Sequence, residues 1–90
     1  MTSAEKAALR GRAQLLSPKL NVGHDGLTPA VIKELDVALR RSDLIKVRFA
    51  VGREVLRAQC AELAAGTASE CVGSVGRVAS FYRARPEEQR

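Results

Sequence analysis

Apolar residues recur at helical spacing near the start of the chain, behind a pair of residues that marks a helix start. Thr2 is followed three residues later by Glu5, which is the spacing of a capping box. The apolar positions behind this pair are Ala7, Ala8, Leu9, Ala13, Leu15 and Leu16. The pattern predicts a first helix from Ser3 to Leu16, because the ring of Pro18 disfavours a helical conformation in the residue before it.

A second helix is predicted after a turn that contains glycine. Lys19 to Val22 form a short extended segment, and Gly23 to Gly26 form the turn. Thr28 offers a side-chain oxygen for the N-cap, and Pro29 suits the first helical position, where no N–H is needed. The buried stripe comprises Val31, Ile32, Leu35, Ala38 and Leu39, and the opposite side carries Lys33, Glu34, Asp36, Arg40 and Arg41.

The apolar spacing changes from helical to alternating between Leu44 and Phe49. Lys46 and Arg48 alternate there with apolar residues, so this segment is predicted to be a strand with one covered face. If all helices cover that face, the two cations lie on an open one. A third helix is predicted from Arg53 to Ala65, with Gly66 in the left-handed conformation that often ends a helix.

Two short strands are predicted near the end of the chain, from Glu70 to Val75 and from Val78 to Tyr82. The link Gly76-Arg77 suits a two-residue type II′ turn, and alternation places Phe81 inside and Tyr82 on the other face, where it could stack on a base. The elements predict an α/β fold in the order α-β-α-β-α-β-β, a single domain with three helices and a mixed four-stranded sheet.

Composition narrows the class of protein further. The 90 residues suffice for one domain, and 46% apolar residues exclude a disordered chain, while the net charge of +5 makes the domain basic. No apolar run approaches the roughly 20 residues of a bilayer span, and the N-terminus has no signal-peptide core. A cytoplasmic location is therefore expected, with Cys60 and Cys71 as free thiols that pack as small hydrophobes, although a disulfide is the alternative.

Catalysis and metal binding are not expected. Two cysteines and the distant His24 do not make a four-ligand zinc site, and there is no CxxC pair. The chain has no GxxxxGK[ST] phosphate loop, so nucleotide hydrolysis has no lysine to meet the transferred phosphate. We therefore expect a binding protein without cofactors.

Gly23 and Gly26 form a GxxG segment, the glycine loop (Gly23 to Gly26), between a strand and the start of a helix. Residues without a Cβ let the backbone approach a phosphate, and the N–H groups at a helix start favour an anion. Turn glycines commonly serve only the turn, so the loop alone is a weak signal.

A larger set of features surrounds this loop in a fixed order. The run from Val22 to Pro29 precedes a helix and then Leu44-Ile45-Lys46-Val47-Arg48. Further positions are Leu9, Gly11, Ala13, Pro18, Val75-Gly76-Arg77-Val78, Tyr82 and Arg83. Together these resemble, over nearly the full chain, the CRM domain family, whose bacterial stand-alone form is the YhbY-type RNA-binding protein.

The resemblance implies a fold similar to the C-terminal domain of translation initiation factor three, and RNA binding without catalysis. Residues 1–85 would form the RNA-binding domain and residues 86–90 a flexible tail. Single-domain bacterial members resemble maturation factors of the large ribosomal subunit, whereas multi-domain plant relatives assist group II intron splicing. One domain without a transit peptide favours the ribosomal role, in which a monomer binds precursor rRNA and, as further partners, ribosomal proteins.

The resemblance also places the RNA contacts. The family's glycines map onto Gly23 and Gly26 as a backbone clamp, whereas the central positions, often basic or neutral in the family, are His24 and Asp25 here. A carboxylate repels phosphate, so Asp25 is expected to cap the loop through its own side chain. His24 either stacks on or donates a hydrogen bond to RNA, or is an ordinary exposed turn residue.

Cations around the loop would supply most of the affinity by neutralising phosphates. Lys19, Lys33, Lys46 and Arg48 are expected to follow one track. The remaining predicted contacts are Thr28 and Arg77, followed by Arg10, Arg12, Arg83 and Arg85.

A second hypothesis stays open, in which the helical faces bind a ribosomal protein or an assembly factor and the charge gives solubility. RNA binding would weaken steeply between about 50 and 200 mM salt, whereas association with a protein through apolar faces would not.

Overall fold

The computed structural model describes residues 1–84, and Arg85 together with the expected tail at residues 86–90 lies outside them. The predicted order of elements is confirmed. The helices are α1 (Ser3–Ala13), α2 (Pro29–Arg41) and α3 (Arg53–Thr67), and the strands are β1 (Leu20–Val22), β2 (Leu44–Phe49), β3 (Glu70–Val75) and β4 (Val78–Tyr82). Within residues 1–84, no helix is long and apolar enough to cross a bilayer.

The first helix begins as predicted and ends earlier than predicted. Thr2 and Glu5 form the capping box, with Glu5 N–H donating to Thr2 Oγ1 at 3.1 Å and Thr2 N–H donating to Glu5 Oε1 at 3.0 Å. The helix ends at Ala13, not at Leu16, and Leu15 beyond it is 88% exposed, so its predicted place on the apolar stripe is wrong. The last amides bond three residues back, a tightening that is common at helix ends.

The sheet has the strand order β1-β2-β4-β3. Strands β1 and β2 are parallel, whereas β4 pairs antiparallel with both β2 and β3, so the sheet is mixed as predicted. In the β3–β4 turn Gly76 has a φ of 60°, and Arg77 is not among the residues of positive φ. This combination fits the predicted type II′ turn.

Helices cover both faces of the sheet, which contradicts the expectation of one open face. One face packs against α2 and α3 through a core of Leu20, Val22, Leu35, Leu39, Ile45, Val47, Phe49, Leu56, Cys60, Leu63, Ala79 and Phe81. The other packs against α1 through Leu9, Ala13, Leu44 and Val72, with Tyr82 against them. Phe81 is buried as predicted, whereas Tyr82 is half-buried against α1 and is not displayed as a platform for bases.

The end of α3 differs from its prediction. The helix continues through Gly66 to Thr67, and Ala68 takes the left-handed conformation with φ 51°. Ser69 N–H donates to Ala64 O at 3.0 Å and Ala68 N–H to Ala65 O at 3.4 Å, which is the Schellman pattern. A Cβ on Gly66 would lie 3.1 Å from Cγ2 of Ile32, so this glycine permits the close approach of α2 and α3.

Glycine also permits a close approach at the β3–β4 pair. The register shifts between Cys71 and Gly73, and a Cβ on Gly73 would lie 2.5 Å from Cδ of Arg10. Arg10 therefore lies flat across β3, and its Nη1 donates to the carbonyl of Val72 at 3.2 Å. Gly73 thus leaves room for the Arg10 side chain of α1 on this face of the sheet.

Candidate nucleic-acid interface

The glycine loop is exposed at one end of the sheet. Gly26 N–H donates to the carbonyl of Gly23 at 3.0 Å and closes the turn, and Gly26 has a left-handed φ of 78°. The side chains of His24 and Asp25 project into solvent. The expectation that Asp25 caps the loop is wrong, since its carboxylate makes no hydrogen bond to any described residue and the backbone closes the turn alone.

The start of α2 offers two free amides beside the loop. Thr28 Oγ1 accepts from Val31 N–H at 3.3 Å, and the carbonyl of Thr28 accepts from Ile32 N–H at 3.1 Å. Pro29 has no N–H, and among residues 1–84 neither the N–H of Thr28 nor that of Ala30 has a hydrogen-bond partner. Thr28 therefore caps the helix through its side chain, while its own N–H and that of Ala30 remain available to an anion.

Strand pairing brings two arginines to the loop. Because β1 is parallel to β2 and β4 is antiparallel to it, the glycine loop, the end of β2 and the β3–β4 turn lie at the same end of the sheet. Arg48 pairs in register with Val78, and Phe49 N–H donates to the carbonyl of Arg77 at 2.7 Å. Gly23, Arg48 and Arg77 consequently line one open cavity of about 510 Å³, the arginine cleft, together with Asn21, Val22, Phe49, Ala50 and Val78.

A second cavity continues along the α1 face of the sheet from the arginine cleft. Its volume is about 280 Å³, and it shares Val78 with the cleft and includes Arg10, Lys46 and Ser80. Lys46 is half-buried there, and its Nζ donates to the carbonyl of Leu16 at 3.0 Å. Contrary to the expectation of an uncovered face, α1 covers this part of it, and the Lys46 ammonium binds the segment that follows α1.

The single track predicted for four cations divides into two surfaces. Lys46 and Arg48 lie on the α1 face, as the alternation of β2 requires. Lys19 and Lys33 line a separate groove beside α2, which packs on the opposite face of the sheet. The structure thus brings Arg48 and Arg77 to the glycine loop and places Lys19 and Lys33 elsewhere.

Two further cations considered for RNA form ion pairs within the fold. Both terminal guanidinium nitrogens of Arg12, Nη1 and Nη2, donate to the carboxylate of Asp43, at 3.3 and 2.8 Å. Arg83 donates to Asp36 Oδ1 at 2.7 Å and to the carbonyl of Thr67 at 2.7 Å. The hydrogen bond from Arg83 lowers the pKa of Asp36 below its ordinary value. These arginines join elements of the fold.

The sequence reasoning missed two exposed arginines near the same end of the sheet. Arg53 and Arg57 line an open cavity of about 320 Å³ together with Gly76 of the β3–β4 turn. Their spacing of four residues in the first turns of α3 puts them on one helix face, which could have been read from the sequence. Glu54 also lines this cavity, so Arg53 and Arg57 together with Arg48 and Arg77 put four cations against this one carboxylate around one end of the sheet.

The two cysteines are free thiols on adjacent elements, with Cys60 buried on α3 and Cys71 half-buried on β3. The neighbouring Cys60 thiol lowers the pKa of Cys71 to about 7, and the Cys71 thiol together with burial raises the pKa of Cys60. Among residues 1–84 no group of three His, Cys, Asp or Glu side chains is placed to hold a metal ion. Around the glycine loop, the described residues present exposed backbone and the guanidinium groups of Arg48 and Arg77, which bind anions.

The chain is similar in sequence to known proteins. The chain is 38% identical over 88 residues to the probable RNA-binding protein PA4753 of Pseudomonas aeruginosa, covering 97% of this chain and 85% of that one. It is 31% identical to an RNA-binding protein of Haemophilus influenzae, covering 99% of this chain and 89% of the relative.

The fold is also found in a solved structure. The solution structure of SAV1595 from Staphylococcus aureus superposes with a TM-score of 0.85 at 28% identity, over 93% of this chain and 88% of that one. The profile of the CRS1 / YhbY (CRM) domain matches residues 1–83. The chain therefore belongs to the CRS1/YhbY (CRM) domain family.

Proposed function

We propose that this protein binds RNA without catalysis and that the phosphate backbone lies across the glycine loop and the arginine cleft. The observation that carries the proposal is that an exposed glycine loop shares one cavity with Arg48 and Arg77. Two relatives that match almost the whole chain are named for RNA binding. The loop brings unhindered backbone to the RNA, and the arginines supply charge on either side.

The RNA backbone is placed here because the protein backbone at Gly23 is accessible and guanidinium groups lie beside it. No side chain lies within 4 Å of the position that a Cβ on Gly23 would occupy, so a ribose-phosphate chain can approach the backbone there. A guanidinium group binds a phosphate through two parallel hydrogen bonds, which fixes direction as well as adding affinity. Lys46, His24 and Thr28 border this surface and are proposed as secondary contacts.

Salt dependence tests the proposal. Binding to a fluorescently labelled fragment of large-subunit rRNA would be followed by anisotropy between about 50 and 200 mM salt, where neutralised phosphates make the affinity fall steeply. Arg48→Gln and Arg77→Gln should each reduce the slope of log affinity against log salt by about one. Arg40→Gln is the matched control, because Arg40 is exposed on α2 and pairs only with Asp36 among the described residues. Equal slopes for all three variants would contradict the proposal.

Within RNA binding, we propose the role of an assembly factor for the large ribosomal subunit, which binds precursor rRNA in the cytoplasm. This step rests on the resemblance to single-domain bacterial members of the family. Gradient fractionation should find the protein with precursors of the large subunit and not with mature ribosomes. Recovery only among free proteins would refute the ribosomal role while leaving RNA binding intact, and crosslinking with RNA sequencing would then identify the RNA.

A protein-interaction role is the alternative, and one observation favours it as an additional activity. The cations Lys19 and Lys33 are separated from the arginine cleft and line a groove with aliphatic walls.

A further inference from the structure

A groove runs between α2 and the β1–β2 edge of the sheet, with a volume of about 790 Å³. We call it the α2 groove, and its apolar lining consists of Leu20, Ala30, Val37, Ala38 and Ile45. Val37 is 37% exposed, and β1 pairs only with β2, so the groove lies at an edge of the sheet. A cleft of this size accommodates several aliphatic side chains, since clefts of about 300–1,000 Å³ bind drug-sized ligands.

The charged residues of the α2 groove are mostly basic. Its lining includes Lys19, Lys33 and Arg41 but only one carboxylate, Glu34. The side chains of Lys19 and Lys33 make no hydrogen bond or ion pair with the described residues. Among residues 1–84, these two cations thus lie beside an apolar surface without a carboxylate partner, and the groove is complementary to a ligand that is both apolar and acidic.

The lining favours a polypeptide over RNA. Proteins that hold single-stranded bases use aromatic side chains as stacking platforms, and this groove has none. Its aliphatic side chains match the aliphatic or aromatic side chains of an amphipathic segment, which docks into an apolar groove through residues at helical spacing. Acidic residues beside those anchors would meet Lys19 and Lys33 at the rim.

We propose that the α2 groove binds an acidic amphipathic segment of a partner protein. The groove lies on the face of the sheet opposite Lys46 and Arg48, so the peptide and the RNA occupy separate surfaces. One molecule can then hold an RNA at the arginine cleft and an acidic protein at the α2 groove at the same time. The inference stands on the groove itself and does not require the RNA to be ribosomal.

The test uses a defined probe, a fluorescein-labelled 14-residue peptide of Leu and Glu with Leu at helical spacing. Two control peptides carry Lys in place of Glu, or Ser in place of Leu. Of the three peptides, we expect only the Leu/Glu peptide to bind. The amide shifts that it causes in a ¹⁵N correlation spectrum should be confined to Lys33, Val37 and Ile45 and their neighbours. Shifts confined to the glycine loop and Arg48 would overturn the proposal.

Variants of the protein make the assignment specific. Val37→Asp places a carboxylate in the groove and should weaken binding of the Leu/Glu peptide by at least about tenfold, equivalent to ~1.4 kcal/mol. The matched control is Val55→Asp, because Val55 is also an exposed helical valine, at 49%, and lies outside the groove. Lys33→Glu leaves the apolar lining of the α2 groove unchanged and replaces a cation by a carboxylate. It should therefore abolish the preference for the peptide with Glu over the peptide with Lys.

RNA binding is measured on the same variants. Val37→Asp should leave the rRNA affinity unchanged, while Arg77→Gln should lower it and leave peptide binding unchanged. Equal effects of Val37→Asp and Val55→Asp on the peptide would overturn the proposal. So would a loss of RNA affinity without a loss of peptide affinity in Val37→Asp, since the groove would then belong to the RNA surface.

Discussion

The two glycines of the glycine loop differ in backbone conformation, and this difference allows a sharp test. Gly26 has φ 78°, a region in which an L-residue is strained, and a Cβ there would lie 3.1 Å from Nε2 of Gln59. Gly23 is not among the residues of positive φ, and nothing lies within 4 Å of its Cβ position. Gly26→Ala should therefore destabilise the fold, whereas Gly23→Ala should not.

The magnitude follows from the backbone strain. Left-handed backbone costs an L-residue roughly 1–2 kcal/mol, and the amide of Gln59 ends a flexible side chain that can move aside at small cost. Gly26→Ala should thus lower the free energy of unfolding by about 1–2 kcal/mol, which is a fall in Tm of roughly 4–16 °C for a domain of this size. Gly23→Ala should change it by no more than about 1 kcal/mol, in the stabilising direction.

The assay is urea and thermal unfolding followed by far-ultraviolet circular dichroism, because the chain has no Trp and one Tyr for fluorescence. Gly11→Ala in α1 is a control, since nothing lies near its Cβ position and alanine favours a helix. Equal unfolding free energies for Gly26→Ala and Gly23→Ala would refute the argument from φ.

The same variants separate stability from RNA contact. A methyl group on Gly23 would hold a phosphate away from the backbone and remove one hydrogen bond to a charged group, a loss of about 1.5–3 kcal/mol or roughly 10- to 100-fold in affinity. Gly23→Ala should therefore weaken rRNA binding while its unfolding curve stays at or above that of the parent chain. Unchanged affinity in this variant would show that the RNA does not approach Gly23.

Three further predictions concern the rest of the fold. Ala68→Gly relieves the strain of the left-handed conformation at the end of α3 and should raise the unfolding free energy by about 1 kcal/mol in urea titrations. A lower unfolding free energy for this variant would contradict the argument from strain. Arg83 lowers the folded pKa of Asp36, so the stabilisation is complete above the ordinary pKa of 3.8 and is lost as pH falls through the folded pKa. Asp36→Asn should accordingly lower the urea midpoint at pH 7 more than at pH 3, and an equal loss at both would exclude this linkage. Iodoacetamide near pH 7 should label Cys71 before Cys60, and Cys60→Ala should slow that labelling by returning the pKa of Cys71 toward its ordinary value; equal labelling of both thiols in the folded protein would count against the pairing.

The separation of positive charge into two surfaces has a functional consequence. Arginines gather where strand ends meet the glycine loop, whereas Lys19 and Lys33 lie beside an aliphatic groove. Guanidinium groups suit bidentate phosphate contacts, and lysines suit a looser rim around an apolar ligand. The proposed RNA and peptide sites therefore differ in chemistry as well as in position.

The order of elements and the start of α2 could be read from the sequence because their signals act within a few residues. Thr28 caps its helix through an amide three residues away, and Pro29 serves the first helical position. The alternation in β2 likewise separates Lys46 and Arg48 from the core without reference to any other segment. The exposed glycine loop between β1 and α2 follows from the same local rules.

Only the tertiary structure decided which face of the sheet each helix covers, and therefore which surface each cation lies on. The Lys46 ammonium donates to the carbonyl of Leu16 just after α1, whereas Lys33 lines a groove away from Arg48. The two cations are separated because α1 and α2 pack on opposite faces of the sheet. Gly66 allows α2 to approach α3 closely, and it is Ala68 that has the left-handed conformation at the end of α3. Apolar stripes state that a face is buried but not against which partner, since that choice depends on the packing of residues far apart in the chain.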